Sequence, residues 1–548
     1  MESVMMRLNV AAGCLCVGLA LASPAWAQTE QHDHAAKPGA VKAGTVNFQT
    51  SCSPDVKDDF NLAVAELHSF WFPEARALFQ AIGKKDPTCA MAHWGIALTY
   101  WGNPFAGQRA AATIANGKAA IEKAQATGTP TPREKGSIDA VAGLFSSADV
   151  TTQRARVVAY EGAMELVSAQ NRDDVEARIF WALAIAQTAL PTDKTFAQNL
   201  KAAEILEPLY KKMPNHPGLA HYIIHAYDVP ALAAKALPAA RAYADIAPSV
   251  PHALHMPSHT FTRVGAWDES VATNIRSSAE ADKSGGGLGE GLHARDYMTY
   301  AYLQMGMDTQ AKAVVEHAQS VGAKAAAAPG AADAGGANTF ALAAIPARYA
   351  LERGQWADAM LLKPWPAANT PYTEAITHFA RAVGFARSGK PAEAAADIAR
   401  LTALRDREIA MKDAYWTEQV DLQRRGAEAW VMFAEGKKAD AIVAMSAVAD
   451  AEDKTDKSAV TPGPLAPARE MFGFMLLEAG RAKEALVAFE AVAKKEPNRF
   501  LALYGAGKAA EATKQQTKAK GYYRQIVAMS KDAGTERPEL QYARKMSK

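Results

Sequence analysis

An all-α fold, a solenoid of stacked helical hairpins, is what the sequence predicts, and three observations predict it. From Phe60 onward apolar residues recur at three- and four-residue steps, which lines one face of a helix, with no convincing alternation of the kind strands need. Near the C-terminus Gly473, Ala485 and Phe489 recur as Gly507, Ala519 and Tyr523, each 34 residues later. Near the start Ala75, Phe79 and Pro87 hold the same small–aromatic–proline spacing. A 34-residue period is that of the tetratricopeptide repeat. The small residue lets two helices approach, the aromatic fills the gap between them, and proline punctuates the turn. The expected architecture is therefore a tetratricopeptide-like superhelix with a concave groove lined by the first helix of each pair.

In chain order, the first segment reads as a targeting sequence. Arg7 precedes an apolar run from Leu8 to about Ala22, and Ser23-Pro24-Ala25-Trp26-Ala27 is a small-x-small cleavage pattern before Gln28. Residues 1–27 are expected to be a signal peptide and the mature chain to be exported to a bacterial periplasm. No later stretch is long and apolar enough for a transmembrane segment. Residues 28–46 are polar, carry His32 and His34, and read as a disordered leader. Two cysteines remain after cleavage, Cys52 and Cys89, and an even pair in an oxidising compartment predicts a disulfide; two buried thiols are the alternative. Sixty basic residues against 58 acidic ones leave no basic excess for nucleic acid.

Helical pairs then follow in series. DDVEARIFWALAIAQ with FAQNLKAAEILEPLYKKM is one, and HARDYMTYAYLQMG with TQAKAVVEHAQSV is another, after a glycine-rich stretch at 284–291. Residues 323–338 are low in complexity and read as a flexible linker, between an N-terminal array (47–322) and a C-terminal one (339–548).

The chemistry concentrates between His216 and Arg263, where six of the 13 histidines fall. His221 and His225 are four apart, as are His255 and His259, and the second pair follows the first by 34 residues. In the repeat frame these histidines occupy equivalent places on adjacent first helices, on the groove face. His252 and Arg263 belong to the same segment, Asp228 follows His225, and the next first helix offers His293, Asp296 and Tyr300. An i, i+4 histidine pair can give two imidazoles to one ion, and several imidazoles with a carboxylate suit Zn, Cu, Ni or Fe. The expected metal ligands are His221, His225, His255, His259 and Asp296, with His252, Arg263, His293, Tyr300 and Asp228 as groove residues meeting a ligand. Arg263 could equally pair with Asp228, and a metal-free polar site, or imidazoles packed on Tyr222 and Phe261, are the alternatives to a metal.

The stretches DPTCAMAHWGIAL, HPGLAHYIIHAYDVP, HALHMPSHTFTRVGAWDESVATN and VTPGPLAPAREM resemble a family of exported bacterial tetratricopeptide-repeat proteins, marked by HALHMPSH. Lys457-Ser458 departs from the family, which often has a histidine after the corresponding lysine. The resemblance implies fold and export and supplies no settled activity. The function expected is a periplasmic binding or scaffold protein whose groove takes a protein, peptide or small molecule beside a histidine-bound transition metal (Zn, Cu or Fe). A metal-dependent hydrolase or oxidoreductase at the same site is the alternative, although no independent catalytic motif is present.

Overall fold

Proline and short polar caps set the helix starts. Pro132, Pro217, Pro251, Pro257, Pro371 and Pro538 each open a helix, where the missing N–H costs nothing. Thr131 and Glu134 form a reciprocal capping box, and Asp174 caps the helix Val175–Thr188. The computed structural model describes residues 41–548 apart from 286, 327–336, 366–368 and 535–536. Among these residues there are helices and turns and no strand, as the sequence predicts.

The helices pair as antiparallel hairpins that stack in chain order. Lys57–His68 packs on Phe72–Lys85, and Ala90–Trp101 on Ala111–Ala126. Val175–Thr188 packs on Ala197–Lys212, and Leu292–Gln304 on Asp308–Ala326. At the far end Ala468–Glu478 packs on Ala482–Lys495, and Phe500–Ala512 on Gln516–Met529. The small–aromatic spacing has a direct physical meaning here. A Cβ at Gly95 would lie 2.5 Å from the Phe79 ring, and one at Gly505 would lie 2.3 Å from Phe489. Only a residue without a side chain lets the next helix close on the aromatic. The array is tetratricopeptide-like.

Three expectations change. The leader is ordered from Lys42: Thr45 donates to the Asn215 carbonyl (2.9 Å), Ser249 donates to that of Lys42 (3.2 Å), and Ala43 and Val46 are buried. The remaining leader residues, the signal sequence, His32 and His34 lie outside the described residues. Of the expected linker, 323–326 continue the helix Asp308–Ala326 and 337–338 begin Ala337–Glu352, while 327–336 lie outside the described residues. Residues 42–548 cluster as one unit. Finally, the face expected to line an open groove is covered. The loop 453–467 lies on the histidine-bearing helices, with Tyr297 donating to the Thr461 carbonyl (3.1 Å). Arg348 donates to the Gly463 and Pro464 carbonyls (2.9 and 3.1 Å). None of the helices described is long and apolar enough to cross a membrane.

Cys52 and Cys89 form a disulfide that ties the start of the first hairpin to the start of the second across 37 residues. Loop closure of that length implies a loss of roughly 4 kcal/mol when the bond is removed. The Cys52→Ser/Cys89→Ser variant should show that loss in urea unfolding of the full chain, and an unchanged midpoint would contradict it.

Glu66 makes a second prediction. It is buried in the first helix, its Oε2 meets no hydrogen-bond partner among the described residues, and burial, with the nearby Glu74 charge, pushes its carboxyl up to about 8. Between the ordinary 4.5 and about 8 the folded chain holds a proton that the unfolded chain has released. Stability from this group is therefore full below 4.5 and is lost as pH rises towards 8. Glu66→Gln should stabilise the chain by about 3 kcal/mol at pH 7 and by almost nothing at pH 4. Urea titrations at the two pH values decide it; equal gains at both would sink the assignment.

Candidate metal centre

The histidines sit on three consecutive first helices. Pro217–Ala226 carries His221 and His225 on successive turns. The next is broken by Pro257 into Pro251–His255 and Pro257–Val264, because proline removes one helical hydrogen bond and crowds the preceding turn. His252 and His255 lie before the break and His259 after it. Leu292–Gln304 brings His293. The hairpin register sets these helices side by side.

Six imidazoles gather into two triads. His221, His225 and His252 place ligand-capable atoms within 4.8 Å of one another, and His255, His259 and His293 do the same. The triads adjoin: the rings of His225 and His259, and those of His252 and His255, are 6.2 Å apart between centroids. All six are buried, from 0% exposed for His221 and His255 to 7% for His225 and His293.

Outer partners determine which nitrogen of four rings carries the proton. His221 Nδ1 lies 2.6 Å from the His68 carbonyl, which can only accept. His259 Nδ1 lies 2.8 Å from Asp228 Oδ2, and His252 Nδ1 lies 3.1 Å from Glu290 Oε2. His255 Nδ1 lies 2.7 Å from Asn274 Oδ1, whose amide is oriented by its own donation to the Ser270 carbonyl (2.7 Å). Burial opposes ionisation of Asp228, but Lys457, Arg263 and His259 outweigh it and hold its carboxyl well below the usual carboxylate range. Each of these Nδ1 atoms is therefore a donor, and each Nε2 of a neutral ring keeps a bare lone pair.

Among the described residues the donor nearest to any of them is the Tyr297 hydroxyl, 3.3 Å from His259 Nε2, and its single proton is also within reach of the Thr461 carbonyl at 3.1 Å. Nε2 of His221, His225 and His252, and Nδ1 of His293, meet no hydrogen-bond partner among the described residues. His255 Nε2 and His259 Nε2 face each other at 3.1 Å. With both Nδ1 protons committed, neither can donate to the other, so two lone pairs confront each other at a buried site. Protonation does not relieve this cheaply. Burial pushes His259 down to about 4 despite Asp228, and His293 down to about 3 despite Glu290. Burial and neighbouring histidines hold His221, His225 and His255 well below the ordinary imidazole value. An orphaned buried polar atom costs about 1–3 kcal/mol. A metal ion is the partner this donor set fits, with Nε2 free and Nδ1–H anchored to an acceptor on His221, His252, His255 and His259, as ligating histidines usually are.

A neighbouring group shows the contrast. His68 Nε2 and His216 Nε2 each lie 2.9 Å from one oxygen of Glu176. Their Nδ1 atoms accept from the Tyr222 hydroxyl (2.9 Å) and the Leu219 N–H (3.4 Å). Every ring nitrogen there is satisfied, so that group is structural, and its His68 carbonyl orients His221.

The other residues singled out in the sequence divide. His252 and His293, expected as groove residues, are triad members. Asp228 and Arg263 are outer partners: Asp228 orients His259 and accepts from Arg263 Nε at 2.9 Å. Asp296, expected as a metal ligand, belongs to neither triad; its Oδ1 accepts from Arg348 Nε at 2.8 Å and both groups are buried. It lies about 100° round the helix from Tyr297, which puts it against the helix Ala337–Glu352 rather than the histidines. Tyr300 also leaves the site: its hydroxyl donates to Glu496 (3.0 Å) and accepts from Arg499 (3.0 Å). Sequence reasoning missed Asn274, Glu290, Tyr297 and Lys457. Tyr297 follows His293 by four residues and was readable; Lys457 stood out only in the Lys457-Ser458 departure from the family pattern, and nothing in sequence marked Asn274 or Glu290. Lys457, buried, stands 3.6 Å from Asp228 Oδ2 and 3.4 Å from the Tyr297 hydroxyl, and burial pushes it down to about 8.

A cleft of about 340 Å³, lined by Phe105, Pro191, Trp416 and Lys457 among others, reaches the centre at His225. Phe105 stacks on His225 at 4.1 Å.

The fold and this geometry together describe a tetratricopeptide-like solenoid enclosing a histidine cluster. No protein-family profile matches the chain, and no curated protein matches it in sequence. Among solved structures it is similar to the APC/C hetero-tetramer Cut9–Hcn1, at 11% identity over 90% of this chain and 89% of that one, with a TM-score of 0.29. The P58(IPK) TPR domain is 13% identical over 68% of this chain and 98% of its own, with a TM-score of 0.20. At such scores the fold assignment rests on the hairpins described above.

Proposed function

We propose that this chain is an exported binding protein that holds transition-metal ions in a buried six-histidine centre and admits a ligand or partner through the cleft at His225. The observation that carries the metal is the confrontation of His255 Nε2 and His259 Nε2 at 3.1 Å, with both Nδ1 atoms already committed. Export to a bacterial periplasm is supported by the apolar run from Leu8 and the Ser23–Ala27 cleavage pattern, and the Cys52–Cys89 disulfide suits an oxidising compartment. A protein, peptide or small molecule in the cleft is supported by its aromatic walls and by the use tetratricopeptide-like arrays make of their inner faces.

Metal analysis of the mature chain, purified without a histidine tag, tests the reading. Metal should be present, and His255→Ala/His259→Ala should lose the ion of the second triad. Trace metal only, with unchanged content in the double variant, would refute it. A metal-dependent hydrolase or oxidoreductase is the second reading. It is favoured by one observation, Lys457 held near 8 beside Tyr297 at the cleft. Activity lost on chelation and restored by one metal would establish it.

A further inference from the structure

We propose that the two triads hold a coupled pair of copper ions that takes up dioxygen, an inference that rests on the metal-binding reading above and deepens it. The donor set selects the metal. All six candidate ligands are imidazoles, and neither triad includes a carboxylate or thiolate among the described residues. Iron and manganese pairs are ordinarily held with carboxylates, whose negative charge offsets that of the divalent ions. Here the ligands carry none. The charged groups beside them are Asp228, Glu290 and Asp456 against Arg263 and Lys457, so little net negative charge is left to offset the ions. Two divalent ions would bring four positive charges into that interior, whereas two Cu(I) ions bring two. Cu(I) is also satisfied by three neutral nitrogen donors, which is what each triad offers.

The placement of the triads supplies the reactivity. Three ligands leave each copper a free coordination position. His225 and His259 belong to different triads and their rings are 6.2 Å apart, as are those of His252 and His255, so one small molecule can meet both ions. The cleft arrives at His225, where Phe105 and Phe70 lie against the imidazole at 4.1 and 5.7 Å between centroids. The cleft is walled by aromatic rings and by charged side chains, Asp228, Asp456 and Lys457 among them, and has room for a diatomic gas to reach His225. Outward Nδ1–H bonds to Asp228 and Glu290 hold the rings of His259 and His252 with Nε2 free for a metal, and the two carboxylates favour its oxidised state. In the step itself each Cu(I) gives up one electron and dioxygen takes both. The product is two Cu(II) ions with peroxide bound between them; no proton is consumed and no protein bond forms or breaks.

The test loads the full mature chain with Cu(I) without oxygen and then admits oxygen. The expected result is two coppers and one dioxygen per chain. An intense near-ultraviolet charge-transfer band should appear, with no EPR signal, because the paired Cu(II) spins cancel. His293→Asn and, where the cleft reaches the centre, His225→Gln should each keep one copper, take up no oxygen, and give a single-Cu(II) EPR signal after chemical oxidation. Helical circular dichroism establishes that each variant is folded, and whichever folds suffices. Two coppers with no oxygen uptake, or tight zinc or nickel in place of copper, would overturn the oxygen inference while leaving the metal-binding reading intact. No transition metal at all would overturn both. Copper and oxygen uptake unchanged in a folded triad variant would remove the site from these histidines.

Discussion

Saturating the metal-free chain with a transition metal is expected to raise its unfolding free energy by about 4 kcal/mol at a thousandfold excess over Kd. The gain follows from linkage: the ion binds the folded arrangement of imidazoles and not the unfolded chain. That binding free energy already includes the relief of the unpartnered nitrogens on His221, His225, His252 and His293 and of the close approach between His255 and His259. In His255→Ala/His259→Ala the second triad is gone, and the metal-dependent gain should shrink accordingly, while the unligated stability changes far less. Two of the most poorly solvated nitrogens have been removed along with their packing, and the terms oppose each other. Thermal unfolding with and without metal, in both proteins, measures this. A metal-induced shift of equal size in the double variant would place the binding elsewhere.

Arg499→Met is expected to cost about 3–5 kcal/mol, comparable with the whole stability of many domains. Arg499 is 1% exposed and holds three elements together. Its guanidinium donates to both oxygens of Glu470 (2.7 and 2.9 Å), pairs with Glu352 at 2.6 Å, and donates to the Tyr300 hydroxyl at 3.0 Å. Methionine fills much of the volume but leaves two buried carboxylates facing each other. Burial, with the charges of Glu352 and Glu496, already pushes Glu470 up to about 7 against the pull of Arg499, so loss of the cation leaves it poorly able to ionise. Adding Glu352→Gln and Glu470→Gln to Arg499→Met should recover much of the loss, because the cost lies in uncompensated charge rather than missing contacts. Urea unfolding of the single and triple variants checks this. A single variant within about 1 kcal/mol of the parent would show that the cluster contributes little.

Helix pairing was legible because it depends on short-range periodicity. Phe79 with Gly95, and Phe489 with Gly505, occupy places that a 34-residue frame assigns without reference to the rest of the chain. The same frame puts His221/His225 beside His255/His259. Asp296 shows where it stops. An inserted segment lengthens the step to the next first helix, and the frame then assigns faces only to within a fraction of a turn. His293 and Tyr297 face the cluster, and Asp296, one residue from Tyr297, faces Arg348 instead. A rotation too small for spacing to register separates a ligand from a structural ion pair.

The sequence by itself determined the helical hairpins, their stacking order, and the two histidine pairs on adjacent inner helices. These follow from local periodicity and from residues one repeat apart. Tertiary structure alone decided that the inner face is closed rather than open, and that His252 and His293 complete two triads. It also decided that Asn274, Glu290 and Asp228 set the tautomers. The physical reason is range. Covering the face uses Lys457 and Thr461, some 160 residues from the Tyr297 hydroxyl they meet. Which nitrogen keeps its lone pair depends on a hydrogen bond of about 3 Å, which no repeat period specifies.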